Sequence, residues 1–289
     1  YNESNADNLE VKFLTSHKIL NKKNNKIWKK WLPSIEQILI AGGEPFKCNE
    51  SKELIKSVID SKVHKDVYLD IVTNGSYFQE ELVKEIINFK GSTIHFSLDD
   101  LYERNEYARD KSNWDNIEND IIKFKYYYDA KPLNHKLAIN CTVNNYNIWY
   151  LDKFLNWARG MNLEVNLSIV HEENTYFLSP KFLNPKIKKI ITKKYKRLYD
   201  RKVLVNEEYK SINNIINYMN QEPELTEHNT GFCRNGILEG DKIIKAKDLT
   251  DAFLKWSEMM DRRRKQNFSQ VFPEWCQVLE QNGYKYQYK

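Results

Sequence analysis

Cysteine is scarce in this chain, and the spacing of the cysteines matches no familiar disulfide or metal-binding pattern. The four cysteines among 289 residues, Cys48, Cys141, Cys233 and Cys276, include no closely spaced pair. This spacing argues against a zinc knuckle and against a disulfide framework. The chain also lacks an apolar run of the ~18 residues that a membrane span needs, and no signal peptide is visible. We therefore expect a soluble cytoplasmic protein that has no membrane partner.

The chain also lacks a strong excess of positive or negative charge. The 45 basic and 40 acidic residues leave a net charge of +5, and nucleic-acid binding would be better supported by a concentrated patch. The densest basic runs, 186–201 and 262–265, lie in helical patterns, where a solvated helix face is the favoured interpretation. We expect no nucleic-acid partner, and a basic nucleic-acid-binding protein stays as an alternative that salt-dependent retention on heparin would support.

What the chain does contain is a regular alternation of strand and helix patterns. Strand-like runs occur at 35–41, 67–73, 93–98, 136–143 and 163–170, with helical patterns between them at 52–61, 79–88, 114–128 and 148–159. Asn49 and Asn113 are helix start signals. Strands that alternate with helices of this length indicate βαβ units, and hence an α/β fold with a parallel sheet and right-handed crossovers.

The rhythm changes in the second half of the chain. Helical patterns follow one another at 186–201, 206–219 and 249–265, and the polar stretch 221–240 reads as a loop or a small excursion. Phe253, Leu254, Trp256 and Met260 lie on or near one stripe of the last helix, which is typical of core packing. We predict two regions, an α/β core at 1–175 and a mostly helical region at 176–289.

The first strand ends in Gly42-Gly43-Glu44-Pro45, the most informative stretch of the sequence. In parallel α/β folds, ligands bind at the carboxyl ends of the strands. Glycines let the backbone turn freely and let a ligand approach without a Cβ in the way. The carboxylate that follows can pair with an ammonium group, and the proline fixes the exit of the chain. The stretch therefore predicts a ligand site.

The other strand ends are polar as well, although Asn-Gly after the second strand is also an ordinary turn signal. A hydroxyl and a carboxylate after the third strand suit the hydroxyls of a ribose, and an arginine nearby could take a carboxylate bidentately. The residues in question are Thr73, Asn74, Gly75, Ser97, Asp99, Asp100, Arg109, Thr142, Asn144, Val170 and His171. Together these groups fit a ligand that combines an amino acid with a nucleoside.

These motifs, in this order, resemble those of the radical S-adenosylmethionine (SAM) enzymes. The resemblance is carried by GGEP, TNG and SLDD at successive strand ends, followed by YARDKSNWDNI. The stretches TVNNYNIWYLDKFLNWARGMNLEVNLSIVH and FLKWSEMMDRRRKQNFSQVFPEW are similar to the subgroup described as twitch-domain radical SAM proteins. The likeness covers roughly 27–175 and 249–275.

The resemblance implies a partial, TIM-like (β/α)6 barrel whose first strand is missing from this sequence. It further implies a [4Fe–4S] cluster, bound SAM and a reductant such as flavodoxin or ferredoxin. In that family, reductive cleavage of SAM gives a 5′-deoxyadenosyl radical that abstracts hydrogen from a substrate, here a peptide or a small metabolite. The protein positions and shields the cofactor.

The resemblance also assigns roles to individual residues. Gly42, Gly43 and Glu44, with Pro45 closing the motif, would contact the amino group of SAM, and Arg109 would meet its carboxylate. Ser97 and Asp99 would lie near the ribose, Asn74 and Thr142 would line the pocket, and Val170 would lie near the adenine.

One departure from the family is serious, because no CxxxCxxC cluster loop occurs in the sequence. Cys48 follows GGEP and Cys141 lies within the fourth strand, so neither can stand in for the loop. We expect the missing strand and the cluster ligands upstream of Tyr1. The alternative is a cluster-less barrel that serves as a binding, structural or virion-associated component. The first explanation is favoured because the other SAM-site residues are all present. Cys233, in NTGFCRNG, is the local candidate ligand for an auxiliary cluster.

Overall fold

The structure, a computed structural model, describes residues 30–131, 133–170, 176–223, 237–239, 242–244 and 246–288. The strands are β1 Gln37–Ile40, β2 Tyr68–Thr73, β3 Gly91–Ser97, β4 His135–Val143, β5 Glu164–Ile169, β6 Ile237–Glu239 and β7 Lys242–Ile244. The helices are α1 Asn49–Asp60, α2 Glu80–Ile86, α3 Tyr102–Ala108, α4 Trp114–Tyr128, α5 Leu151–Gly160, α6 Pro185–Asp200, α7 Asn206–Met219, α8 Leu249–Arg264, α9 Phe268–Val271 and α10 Pro273–Gln281. Short 3₁₀ turns lie at Leu32–Ser34, Tyr176–Leu178 and Pro180–Phe182.

The first five strands form one parallel sheet, and helices connect them. Their order is β1-β2-β3-β4-β5, so neighbours in sequence are neighbours in the sheet. Gln37 of β1 lies opposite Tyr68 of β2, and Ala138 of β4 lies opposite Glu164 of β5. The predicted α/β class and parallel sheet are confirmed. The order contains no reversal of the kind that defines a doubly wound sheet, and it is compatible with part of a barrel.

Hydrophobic periodicity explains why these segments fold as they do. In β2, buried Leu69 and Ile71 alternate with more accessible residues, as a strand with one covered face requires. α4 begins as predicted, since the Asn113 side-chain oxygen accepts a hydrogen bond from the Asn116 backbone N–H at 2.9 Å. Asn49 was expected to precede the helix as its start signal, but it is itself the first helical residue of α1, and Cys48 is the N-cap.

The predicted C-terminal helices are present as α6, α7 and α8. In α8, Phe253 and Leu254 are buried as expected, but Met259 rather than Met260 is the fully buried methionine. Within the polar stretch 221–240 and just beyond it, the three-residue strands β6 and β7 pair antiparallel. Strands this short carry too little periodicity for sequence patterns to identify them.

The described chain divides into two compact units. The first unit contains 30–73, 77–94 and 122–136, and the second contains 74–76, 95–121 and the described residues from 137 onward. The core of the second unit is rich in aromatic rings. Tyr107 and Phe272 pack edge to face with centroids 5.1 Å apart, and the Trp275 indole N–H donates to the backbone oxygen of Asn145 at 2.7 Å. In the described ranges, no helix is both long enough and apolar enough to cross a membrane.

Candidate functional site

The backbone after β1 makes a turn that only glycine adopts easily. Gly42 and Gly43 have φ angles of +95° and +61°, and both are exposed. A Cβ built on either glycine would meet no atom of the described residues within 4 Å. The glycines are therefore required by the left-handed backbone, and the space beside them is open to a ligand.

Gly43→Ala is expected to destabilise the protein by about 1 kcal/mol, because a Cβ strains the left-handed conformation. The matched control is Gly160→Ala at the end of α5, where φ is ordinary and the added methyl also enters open space. We expect that control to be neutral or slightly stabilising, since alanine favours the helix. Urea unfolding measures both changes. Equal effects of the two substitutions would contradict the conformational argument.

The Glu44 carboxylate is held from two sides in the first unit. The Thr73 hydroxyl donates a hydrogen bond to Glu44 Oε1 at 2.6 Å, and the Phe46 backbone N–H approaches the same oxygen at 3.4 Å. Pro45 and Phe46 are buried, and the Phe46 ring packs edge to face on Phe124 with centroids 4.8 Å apart. The apolar anchor beneath the turn thus fixes the backbone, while Thr73 orients the half-buried carboxylate.

Sequence reasoning missed Thr73 as the partner of Glu44. The signal was available, because Thr73 continues the buried alternation of Leu69 and Ile71 along β2 and is only 1 % exposed. A hydroxyl in such a position must find a hydrogen-bond partner. Glu44, which follows the adjacent strand β1, could therefore have been predicted as the hydrogen-bond partner of Thr73.

Asn74 lies in the second unit and takes part in a turn. Its side-chain oxygen accepts hydrogen bonds from the Ser76 backbone N–H at 2.9 Å and the Ser76 hydroxyl at 2.6 Å, and Gly75 has a φ of +75°. These bonds form an Asx turn of the ordinary kind. The geometry thus supplies a structural role for Asn74 besides the ligand contact that the sequence predicted.

Asp99, Arg109 and Thr142 come together in the second unit. Arg109 Nε lies 3.0 Å from Asp99 Oδ2, and the Thr142 backbone N–H donates to Asp99 Oδ1 at 3.1 Å. Both members of the ion pair remain partly accessible, with side-chain exposures of 31 % for Arg109 and 13 % for Asp99. The two groups that the sequence assigned to different parts of a ligand therefore contact each other.

Asn147 fixes this cluster, and the sequence analysis gave it no role. Its side-chain amide donates to the backbone oxygens of Asp99 at 2.8 Å and Thr142 at 3.0 Å. Its own side-chain oxygen accepts from the Asn144 backbone N–H at 2.8 Å. Because Asn147 is 2 % exposed, these bonds are shielded from water and hold the ends of β3 and β4 together.

Asp100 points away from solvent, unlike its neighbour Asp99. It is 1 % exposed, its Oδ1 lies 3.0 Å from Arg104 Nε, and the same oxygen accepts the Leu101 backbone N–H at 2.7 Å. Burial raises the pKa of Asp100 to about 7, and the nearby Arg104 guanidinium opposes that rise. The Arg104 guanidinium also lies 4.4 Å from the ring centroid of Tyr150. Asp100 is thus an interior group of the fold.

One face of the sheet in the second unit carries accessible polar side chains. In β4 and β5, Asn140 lies opposite Asn166 and Thr142 lies opposite Ser168, and the Asn166 amide donates to Asn140 Oδ1 at 3.2 Å. Ser97, the last residue of β3, is half-buried. Parallel sheets are usually covered by apolar residues on both faces. The polar face is therefore a surface on which a polar ligand can form hydrogen bonds.

Val170 is the remaining predicted residue that the structure describes. Val170, just after β5, is half-buried, and its backbone N–H donates to the backbone oxygen of Val143 at 3.1 Å. His171 and Cys233 lie outside the described residues.

The three described cysteines are free and separate in the fold. Burial raises the pKa of Cys141 well above its usual value and that of Cys276 to about 11, so both thiols keep their protons at neutral pH. Cys48 is half-buried, with its sulfur 2.7 Å from a carboxylate oxygen of Glu50. Within the ranges that the structure describes, no three His, Cys, Asp or Glu side chains are grouped so as to hold a metal ion.

No protein-family model matches this chain, and no curated protein matches it.

Proposed function

We propose that this protein binds SAM and belongs functionally with the radical SAM enzymes that its motifs resemble. The observation that carries the proposal is the turn formed by Gly42, Gly43 and Glu44. It offers open backbone beside a half-buried carboxylate that Thr73 orients at 2.6 Å. A fixed carboxylate next to a backbone without side chains suits the α-ammonium of an amino acid.

The second unit supports the proposal through a separate set of groups. Arg109 contacts Asp99 through Nε, and a guanidinium has further N–H donors with which to bind a ligand carboxylate. Asp99 is partly accessible and can accept hydrogen bonds from ribose hydroxyls. In the proposal, Ser97, Thr142 and Asn74 line the pocket, and Val170 lies near the adenine.

The finer fold is also part of the proposal, and a [4Fe–4S] cluster is part of it only with ligands from outside the described residues. Sequential order of the parallel strands supports a partial (β/α)6 barrel. A [4Fe–4S] cluster does not fit the residues that the structure describes, among which no group of metal ligands occurs, so no step is derived through it. The chain's own contribution is to bind and orient SAM. We keep a peptide or small molecule as substrate class and flavodoxin or ferredoxin as reductant class.

Calorimetry with SAM is the direct test of binding. We expect SAM to bind the protein, and both methionine and adenosine to compete with it, because the proposed contacts divide between an amino-acid part and a nucleoside part. No heat of binding at millimolar SAM would overturn the proposal. Competition by adenosine alone would remove the role given to Glu44.

Release of 5′-deoxyadenosine tests the enzymatic half. In the full-length protein with the expected cluster ligands, reconstituted anaerobically with iron and sulfide, we expect this product when SAM and dithionite are added. The control omits the reductant, and chromatography quantifies the nucleoside. SAM binding without product would instead support the alternative function, a cluster-less binding or structural component.

A further inference from the structure

The outer side of α6 carries a row of cations that the proposed SAM site does not use. The inner side of this 16-residue helix is covered, with Ile187, Ile191 and Tyr195 all 0 % exposed. The exposed basic residues of the helix are Lys186, Lys189, Lys193, Lys196 and Arg197, which we name the α6 basic face. Asp200 is the only acidic residue in α6.

Helical spacing places these cations on one side. The four lysines recur at intervals of three or four residues, and Arg197 directly follows Lys196. At about 1.5 Å of rise per residue the row is about 16 Å long. None of the five forms an ion pair with an acidic residue in the described part of the chain, whereas Lys194, next to the row, pairs with Asp152. The positive charge of the face is therefore left for an external anion.

We propose that the α6 basic face binds the phosphate backbone of a nucleic acid. About 16 Å of duplex presents about five phosphates per strand, which matches the number of cations. Of the large apolar side chains of α6, only Tyr199 is exposed, at 37 %, and its ring stacks on that of Tyr209. Protein interfaces are depleted in lysine and depend on buried aromatic or arginine anchors, so the face is poorly suited to a protein partner.

The structure shows which side of α6 is buried, and this cannot be read from the sequence alone. A basic run in a sequence can be spread around a helix, and for that reason the sequence favoured a solvated face. Burial of Ile187 and Ile191 shows which side of α6 faces inward and leaves the cations together on the other. The inference is independent of SAM binding, because it uses none of the residues assigned to that site.

Fluorescence anisotropy with a labelled RNA duplex and the matching single strand tests the proposal. For five phosphate contacts, log K should fall against log salt with a slope of about −3.5 to −4.5. The triple substitution Lys189→Gln, Lys193→Gln and Lys196→Gln should reduce the slope by about 2 to 3 and weaken binding more than about tenfold at low salt. Glutamine keeps the helix propensity of lysine, and circular dichroism checks the fold.

The matched control removes three exposed lysines elsewhere, with Lys56→Gln, Lys90→Gln and Lys136→Gln giving the same change in net charge. We expect its RNA affinity to stay within about twofold of the wild type, because these lysines lie outside the α6 basic face. Equal loss in both triple variants would show attraction by net charge alone and overturn the proposal. If the first triple variant does not fold, the RNA affinity of the single variant Lys193→Glu is measured in its place.

Two further results would also overturn the inference. One is RNA binding that does not respond to salt. The other is salt-dependent binding to phosphatidylglycerol vesicles without binding to RNA, which would make the face a membrane contact. Unchanged SAM binding in the first triple variant is the expected result that separates this site from the proposed SAM site.

Discussion

Glu44→Gln is expected to weaken SAM binding about 10- to 100-fold, the loss typical of removing a charge-assisted hydrogen bond. The substitution keeps the shape of the side chain and an oxygen that can accept the hydrogen bond from Thr73, now 2.6 Å long. What it removes is the negative charge that the proposal places opposite the ammonium of SAM. Isothermal calorimetry gives the affinities, and Glu53→Gln, an exposed residue on α1, is the matched control.

The ligand can be varied as well as the protein. 5′-Methylthioadenosine keeps the nucleoside and sulfur of SAM but lacks its amino-acid part, so Glu44→Gln should leave its affinity unchanged. Thr73→Val should weaken SAM binding by a smaller factor, about 3- to 10-fold, because the carboxylate stays but loses the donor that orients it. If Glu44→Gln weakened both ligands equally, the loss would come from damage to the fold, and the ammonium contact would be wrong.

The order and type of the elements could be predicted because they depend on local periodicity. α4 and α7 have the bounds that the pattern predicted, Trp114–Tyr128 and Asn206–Met219. β3 begins at Gly91, two residues before the predicted start. A Cβ at Gly91 would lie 2.5 Å from the backbone oxygen of Asn134, so this glycine is required by a close approach that no local pattern reveals.

The candidate site was predictable only in part. The turn at Gly42 and Gly43 was found from its glycines, and the positive φ angles agree with that interpretation. The pairing of Asp99 with Arg109, by contrast, was not found, because both residues seemed available to a ligand. Such pairings depend on how the strand ends meet in three dimensions. Sequence identified the chemical groups and not their mutual contacts.

A second large effect is expected at the interior pair of Asp100 and Arg104. Arg104→Met should destabilise the protein by about 3–5 kcal/mol at pH 8, because it leaves a buried carboxylate without its counter-charge. Methionine has a similar length and can still pack against Tyr150. At pH 5 the loss should be much smaller, since a carboxyl whose pKa in the folded protein is about 7 is already protonated there. Urea unfolding at both pH values measures the difference.

The sign of the pH dependence follows from the two pKa values of Asp100, 3.8 ordinarily and about 7 in the folded protein. The folded state binds the proton more tightly than the unfolded chain. The stability that this proton contributes is therefore complete below about pH 4 and lost as the pH rises to 7. Asp100→Asn removes the titration, so its stability relative to the wild type should rise over this interval by on the order of 4 kcal/mol.

An exposed ion pair provides the contrast. Lys84, whose ammonium lies 2.7 Å from Glu80 on the surface of α2, can be changed to Met with an effect that urea unfolding barely detects at either pH. If Arg104→Met were equally destabilising at pH 5 and pH 8, loss of the ion pair with Asp100 would not be the cause. Loss of the cation–π contact with Tyr150, at 4.4 Å, would then explain the effect, and Asp100 would not carry the pH dependence. The two pH values thus separate the ion pair from the cation–π contact of Arg104.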